Sequence, residues 1–416
     1  MQRQTAKDNM TSTEYTSWKN PMVMLLLMAF IMPLVFSTWM ALINNFSKEA
    51  AEFTGKEIGI LQSLREIPGF LAFTAVFVLL IIREQRFAIL SLLTLSIGVV
   101  LTGYFPSIVG LYITTMIMSI GFHYFETINQ SLTLQLVSKE ETPHFMGKAL
   151  AVRAGASIIV FGSMWLLLEH LNVEYKTIYT LFGGIGILLV LFIWISFPQF
   201  EGKIEQKKSL VLRKSYWLFY VLTFLSGARR QIFVVFAGFL LVEKFDYSAS
   251  SIALLYLANY VFNLLFAARI GKIIGVIGER RALTIEYIGL IVVFISYGLV
   301  DDAKIAGALY IIDHFFFAFA IAIKTYFQKI AQQEDIASTA GVSFTINHIA
   351  AVFLPALLGF VWLYDNSLVF FVGAAIAALS LVLSQFIPNH PELGQETRFF
   401  KTLSALPKSE MKPQKS

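Results

Sequence analysis

Between residues 21 and 388 the chain repeatedly runs for about 20 residues with little interruption by charge, the length a helix needs to cross the hydrocarbon of a bilayer. In hydrocarbon every backbone N–H and C=O must be satisfied inside a helix or a closed barrel. A barrel needs alternating segments of about 10 residues, and these runs are too long and too uniformly apolar for that. Composition agrees. The chain is 57% hydrophobic and 14% charged, against about 25% charged in a soluble domain, and its mean hydropathy is +0.69. Twelve helical spans are predicted, at 21–45, 58–82, 87–105, 106–137, 144–169, 176–197, 216–243, 250–270, 282–299, 303–330, 337–363 and 367–388. Only a turn at Phe105-Pro106-Ser107 separates the third from the fourth.

Orientation follows from the loop cations. With both termini and every second connection on one side, that side holds 21 of the 32 Lys and Arg, and the opposite side holds five: Lys48, Lys56, Lys176, Lys244 and Lys304. Both termini are therefore expected in the cytoplasm. The first 20 residues are polar and no small-residue cleavage signature follows the first apolar run, so that run is read as a retained span. The net charge of +5 is scattered over short connections and tails, which argues against nucleic-acid binding. With no cysteine, disulfides and thiolate chemistry are excluded.

The longest internal connection, 198–215, carries Lys203, Lys207, Lys208, Arg213 and Lys214 and reads as a solvated linker. It divides the chain into an amino-terminal tail (1–20), a six-helix bundle (21–197), a second bundle (216–388) and a carboxyl-terminal tail (389–416). The halves echo each other weakly. His123-Tyr124-Phe125 in span four answers His314-Phe315-Phe316 in span ten, and Gly147-Lys148 in span five answers Gly341-Val342 in span eleven.

The connection between spans eight and nine reads Gly271-Lys272-Ile273-Ile274-Gly275-Val276-Ile277-Gly278-Glu279-Arg280-Arg281. With the twelve spans and their six-plus-six division, it resembles the major facilitator superfamily. That family's cytoplasmic signature has a Gly, an Asp four residues on, another Gly and a basic pair. Gly275 stands where the acid is expected, and the first-half equivalent, Arg83-Glu84-Gln85-Arg86, has no Gly. The resemblance implies an all-α membrane protein of two pseudo-symmetric six-helix bundles. These would rock around a midplane site lined by spans one, four, seven and ten. Gly271, Gly278, Arg280 and Arg281 become candidate gating residues.

Charges inside the spans mark pathways or internal ion-pair networks, because a charge at bilayer depth is costly without a partner or water. Four arginines (Arg65, Arg153, Arg229, Arg230) and three carboxylates (Glu66, Glu126, Asp313) fall there on the sequence reading. Ser119, His123, Glu126, Gln130 and Thr133 share one face of span four. Arg229 and Arg230 sit near mid-depth in span seven. Adjacent helical residues point about 100° apart, so one is expected to face the cavity and the other to pair with a neighbouring span. An arginine grips carboxylate or phosphate through two parallel bonds. Substrate contact is therefore assigned to Arg229, Arg230, Arg153, Gln130 and Tyr124. Proton coupling is assigned to Glu126, His123, Asp313 and His314. Arg65 and Glu66, followed by Pro68-Gly69, form a candidate gate at a bend.

No phosphate loop, zincin motif or nucleophile elbow occurs, so neither ATP hydrolysis nor other enzymatic activity is expected, and no cofactor or metal. The sequence reading is a monomeric, proton-coupled secondary transporter of a small organic anion in a bacterial inner membrane. Its partners would be that solute, protons and the lipid bilayer. The first alternative is an exporter of amphipathic compounds or toxins. In the family resembled, exporters of that kind carry a proline in a Gly-rich span five, and the stretch Gly155 to Ser163 has none. The second alternative is a non-transporting sensor on a carrier scaffold.

Overall fold

The computed structural model describes residues 18–138, 141–200, 212–332 and 335–398. Both chain ends and most of the basic linker, including Lys203, Lys207 and Lys208, lie outside the described residues. The described residues are almost wholly helical. In chain order the helices are α1 (Pro21–Ala51), α2 (Gly55–Phe70), α3 (Ala75–Leu79), α4 (Glu84–Thr102), α5 (Ile108–Leu136), α6 (Thr142–Glu169) and α7 (Tyr175–Ser196). They continue as α8 (Trp217–Gln231), α9 (Gly238–Glu243), α10 (Ala249–Ile277), α11 (Glu279–Leu299), α12 (Ala303–Phe317), α13 (Ile321–Ile330), α14 (Ile336–Tyr364) and α15 (Asn366–Ser384).

Eleven of the expected spans are runs long and apolar enough to cross a membrane. The remaining one, 58–82, is broken. Pro68 and Gly69 close α2, a 3-10 turn covers Ala72–Thr74, and α3 resumes at Ala75. The split between the third and fourth spans stands where Pro106-Ser107 placed it. Ser107 caps α5 by accepting the Gly110 N–H at 3.1 Å.

The chain forms two compact units. Each holds a segment from the other side of the expected division. Glu52–Phe70 belongs to the second unit and Ala249–Leu257 to the first. Local contacts explain both exchanges. Tyr256 stacks on Phe161 at 5.1 Å between ring centroids, and Ser250 donates to Glu169 at 2.6 Å. In the second unit α2 lies along α14, with Gly59 against the carbonyl of Pro355. Beside Pro355, which interrupts the helical ladder, the Ala356 N–H donates to Ser63 Oγ at 2.9 Å. Lipid is as apolar as leucine, so helices in a bilayer associate through close small-residue contacts and interhelical hydrogen bonds of this kind.

The first unit packs α4 against α5 and α7, and α1 against α6 and α7. Its fully enclosed side chains include Trp39, Phe125, Phe161 and Tyr179. At one end of this unit Gln85 accepts from Phe200 N and donates to Pro198 O, both at 2.9 Å, and so ties down the residues after α7.

The second unit packs α11 against α15 and α8 against α14. Span seven is not a plain helix. After Arg229-Arg230-Gln231 it widens into a π-helical turn over Ile232–Ala237 before α9 resumes. Span ten narrows into a 3-10 turn at Ala318–Ala320. The two irregular spans run antiparallel: Phe219 stacks on Phe327 at 4.2 Å, and Phe233 meets Tyr310 at 4.8 Å.

Candidate functional site

A cavity of about 620 Å³ opens within the second unit, where spans seven and ten depart from regular α-helix. One face of α8 lines it with Phe219, Thr223, Ser226, Gly227 and Arg230, at offsets of 4, 7, 8 and 11 from the first. That spacing is a single helical stripe about 16 Å long at 1.5 Å per residue. Span ten contributes Phe317, Lys324, Phe327 and Gln328; α10 contributes Asn263, and α14 contributes Ser343, Phe344 and Asn347. Among the lining residues there are two cations, three carboxamides and three hydroxyls, and no carboxylate. Glycine at 227 is a steric requirement, because a Cβ there would collide with the Asn347 carboxamide across the cavity wall.

Arg229 and Arg230 part company. Arg229 is fully enclosed. Its guanidinium donates to Ser380 Oγ on α15, lies 3.3 Å from Glu286 Oε1 on α11, and sits 4.4 Å over the Tyr287 ring. It does not line the cavity, so the expectation that it contacts substrate is corrected here. Three neighbours already occupy it. Arg230 is exposed and lines the cavity, and it makes no hydrogen bond or ion pair among the described residues. Glu66 and Arg65 lie within its electrostatic reach.

Glu286 is the residue the sequence reading missed. It lies within the ninth span and is 0% exposed. It raises the intramembrane carboxylates to four, equal to the arginines. It stands seven residues after Glu279, and its partner Arg229 is 57 residues away in sequence. Asp313 is also 0% exposed, and neither of its carboxyl oxygens has a hydrogen-bond partner among the described residues. Arg229 and Glu286 are both within electrostatic reach of it. One arginine thus sits among two enclosed carboxyls.

His314, next to Asp313, turns the other way. Its Nε2 is 2.8 Å from Asn263 Nδ2, and Asn263 lines the cavity. In α2 Arg65 and Glu66 form an ion pair with each other. Glu66 Oε2 also lies 3.5 Å from His348 Nε2 on α14, whose Nδ1 donates to Phe344 O at 2.7 Å. Phe344 lines the cavity, so this chain of contacts reaches the cavity wall.

In the first unit the polar stripe of α5 is partly spent internally. Glu126 pairs with Arg153 at 2.6 Å, both side chains being a little over a quarter exposed. His123 Nδ1 lies 3.0 Å from Ser119 Oγ and 3.1 Å from the Ser119 carbonyl. The Tyr124 hydroxyl lies 2.6 Å from Thr74 Oγ1, and its ring packs on Phe87. Gln130 is exposed.

The connection between α10 and α11 is nearly continuous helix. Gly271 and Gly275 are exposed, with open space where a Cβ would stand. Gly278 breaks the helix with φ at +83°, the left-handed region that favours glycine. Among the described residues Arg280 and Arg281 make no ion pair. Their neighbour Glu279 does, with Lys329 of α13 at 2.6 Å. A second polar contact lies nearby in sequence. Asp335, immediately before α14, receives the Arg213 guanidinium and, at 2.8 Å, the Tyr216 hydroxyl. Those two donors, Arg213 foremost, hold its carboxyl below the usual carboxylate range.

The family model described as Major Facilitator Superfamily matches residues 22–355. No curated protein sequence matches the chain. Among solved structures it is similar to the nucleoside transporter NupG, at 16% identity and a TM-score of 0.69, covering 88% of this chain and 98% of that one. It is also similar to a bacterial homologue of the human lysosomal transporter Spinster, at 12% identity and a TM-score of 0.66, over 88% and 95% of the two chains. A POT family transporter in complex with 5-aminolevulinic acid gives 12% identity and a TM-score of 0.69, again over 88% and 95%. At these identities the likeness is one of fold.

Proposed function

This chain belongs to the Major Facilitator Superfamily, and from that membership we propose that it carries a small organic anion across the membrane by alternating access. The observation that carries the anion assignment is Arg230. It is a permanent cation in a cavity lined by no carboxylate, with no ion-pair partner among the described residues. An unpaired charge at membrane depth is tolerated where it faces water or a ligand. Asn263, Asn347 and Ser226 offer neutral hydrogen bonds to the rest of the solute, and Phe317 and Phe344 offer apolar faces. In this reading Arg229 holds the framework and Arg230 holds the substrate.

Proton coupling belongs to the same proposal. Asp313 and Glu286 share one arginine inside the second unit, and Glu126 shares Arg153 inside the first. A proton taken up by one carboxyl frees its arginine to strengthen contact with the other. His123 and His314 are the neighbouring groups that would pass the proton on. The protein would work as a monomer in a bacterial inner membrane, with both termini in the cytoplasm.

The test is uptake of radiolabelled organic anions into proteoliposomes containing the full chain. Arg230→Gln is expected to abolish uptake while the protein remains folded. Unchanged uptake by that variant would overturn the anion assignment.

A further inference from the structure

The cavity holds a second cation that the anion reading leaves without a task. Lys324 is exposed, lines the same cavity as Arg230, and makes no ion pair or hydrogen bond among the described residues. A lysine near a helix end often snorkels to the interface. This one shares the cavity with Thr223, Gln328 and Phe327 instead.

The antiparallel pairing of spans seven and ten fixes where the two cations stand. Phe219 and Phe327 are stacked at one end, so they share a level. Arg230 is eleven residues beyond Phe219, and Lys324 is three residues from Phe327 in the same direction. At 1.5 Å per residue their Cα levels differ by about 12 Å along the cavity. The side chains of both are long enough to shorten that gap by reaching toward one another. His314 and Asn263, which touch each other, lie toward the Arg230 end. Gln328 and the stacked phenylalanines lie toward the Lys324 end. The Arg65–Glu66 pair lies within electrostatic reach of Arg230, but Glu66 spends its short contacts on Arg65 and His348. The cavity therefore carries two positive charges at different depths, neither in an ion pair among the described residues, separated by carboxamides, hydroxyls and aromatic faces.

We infer that the substrate of this cavity is an organic dianion, with one negative group held by Arg230 and a second negative charge met by Lys324. The inference rests on the anion reading above and narrows it. A monoanion would leave one buried-side cation uncompensated in the loaded state, whereas a dianion cancels both before the cavity is closed to water. Either two carboxylates on a short apolar spacer or one phosphate monoester carries the required charge. The carboxylates would reach both cations at once, and the phosphate would draw both side chains to one head.

The experiment measures binding to the detergent-purified full chain by isothermal titration. The probes are glutarate against pentanoate, and phenyl phosphate against benzenesulfonate. Each dianion is expected to bind about tenfold or more tightly than its monoanionic match, since one charge-assisted contact is added. Lys324→Gln should erase that preference, and Lys324→Arg should restore it. Arg230→Gln should weaken both members of each pair. Preference for glutarate alone assigns the two-carboxylate ligand, and preference for phenyl phosphate alone assigns the phosphate. Equal affinity for mono- and dianions in the unaltered protein would overturn the inference but leave the anion reading standing, provided Arg230→Gln still weakens both. Absence of binding by every anion overturns both readings.

Discussion

Arg229 and Arg230 are consecutive in the chain, yet one ends in a sealed contact with Glu286 and the other in an open cavity. A helix turns about 100° per residue, so neighbours cannot share an environment. The difference in surroundings predicts a difference in what each mutation does.

Arg229→Gln leaves the Glu286 carboxylate enclosed without its cation. Breaking a buried pair from one side costs about 3–5 kcal/mol. Thermal unfolding in detergent should show a large loss for Arg229→Gln, and the double change Arg229→Met with Glu286→Met should recover most of it. Arg230→Gln should unfold like the unaltered protein. An Arg229→Gln protein as stable as the parent would refute the structural assignment of this pair.

Gly227 has no room for a side chain opposite Asn347. Gly227→Ala is expected to push the Asn347 carboxamide out of its place on the cavity wall. Uptake should fall at least as far as in Asn347→Ala, and combining the two changes should add little. Additive losses would show that the residues act separately.

Asp313 is enclosed, without a hydrogen-bond partner among the described residues, within electrostatic reach of an arginine that already serves Glu286. If it carries the coupling proton, Asp313→Asn should abolish accumulation driven by a pH gradient. Exchange of labelled for unlabelled substrate at equal pH should survive. Loss of both activities together would instead mark the residue as part of the framework.

Asp335 has its carboxyl held low by Arg213 and Tyr216. A depressed folded-state value means the contact stabilises above the unfolded carboxylate pKa and is lost as pH falls through the folded one. The gap in melting temperature between the parent and Asp335→Asn should therefore be constant from about pH 8 to pH 5. It should narrow only below the ordinary carboxylate value of about 3.9. A gap that closes near neutrality would rule out this carboxyl as its source.

The spans were legible because hydrocarbon permits few solutions and apolar length records them directly. The broken second span was legible too, since Pro68-Gly69 ends a helix by local chemistry. So was the parting of Arg229 from Arg230, which needs only the helical angle. The identity of the pairs was not. Glu286 meets Arg229 across 57 residues, and Ser380 meets it across 151, and no periodicity within one span reports such partners. The place of Lys324 was not legible either: only the neighbouring 3-10 turn and the face of α8 put it on a cavity wall.

The residues after α15 fold back as well. Arg398 N donates to Phe386 O at 2.7 Å, and the Tyr326 hydroxyl donates to the Glu396 carbonyl. Tyr326 stands two residues from Lys324 on the same helix. A purification tag or fluorescent reporter joined ahead of Glu396 would therefore strip an acceptor from the helix that carries Lys324. Shortened versions intended for crystallisation or binding measurements should keep the chain through Arg398.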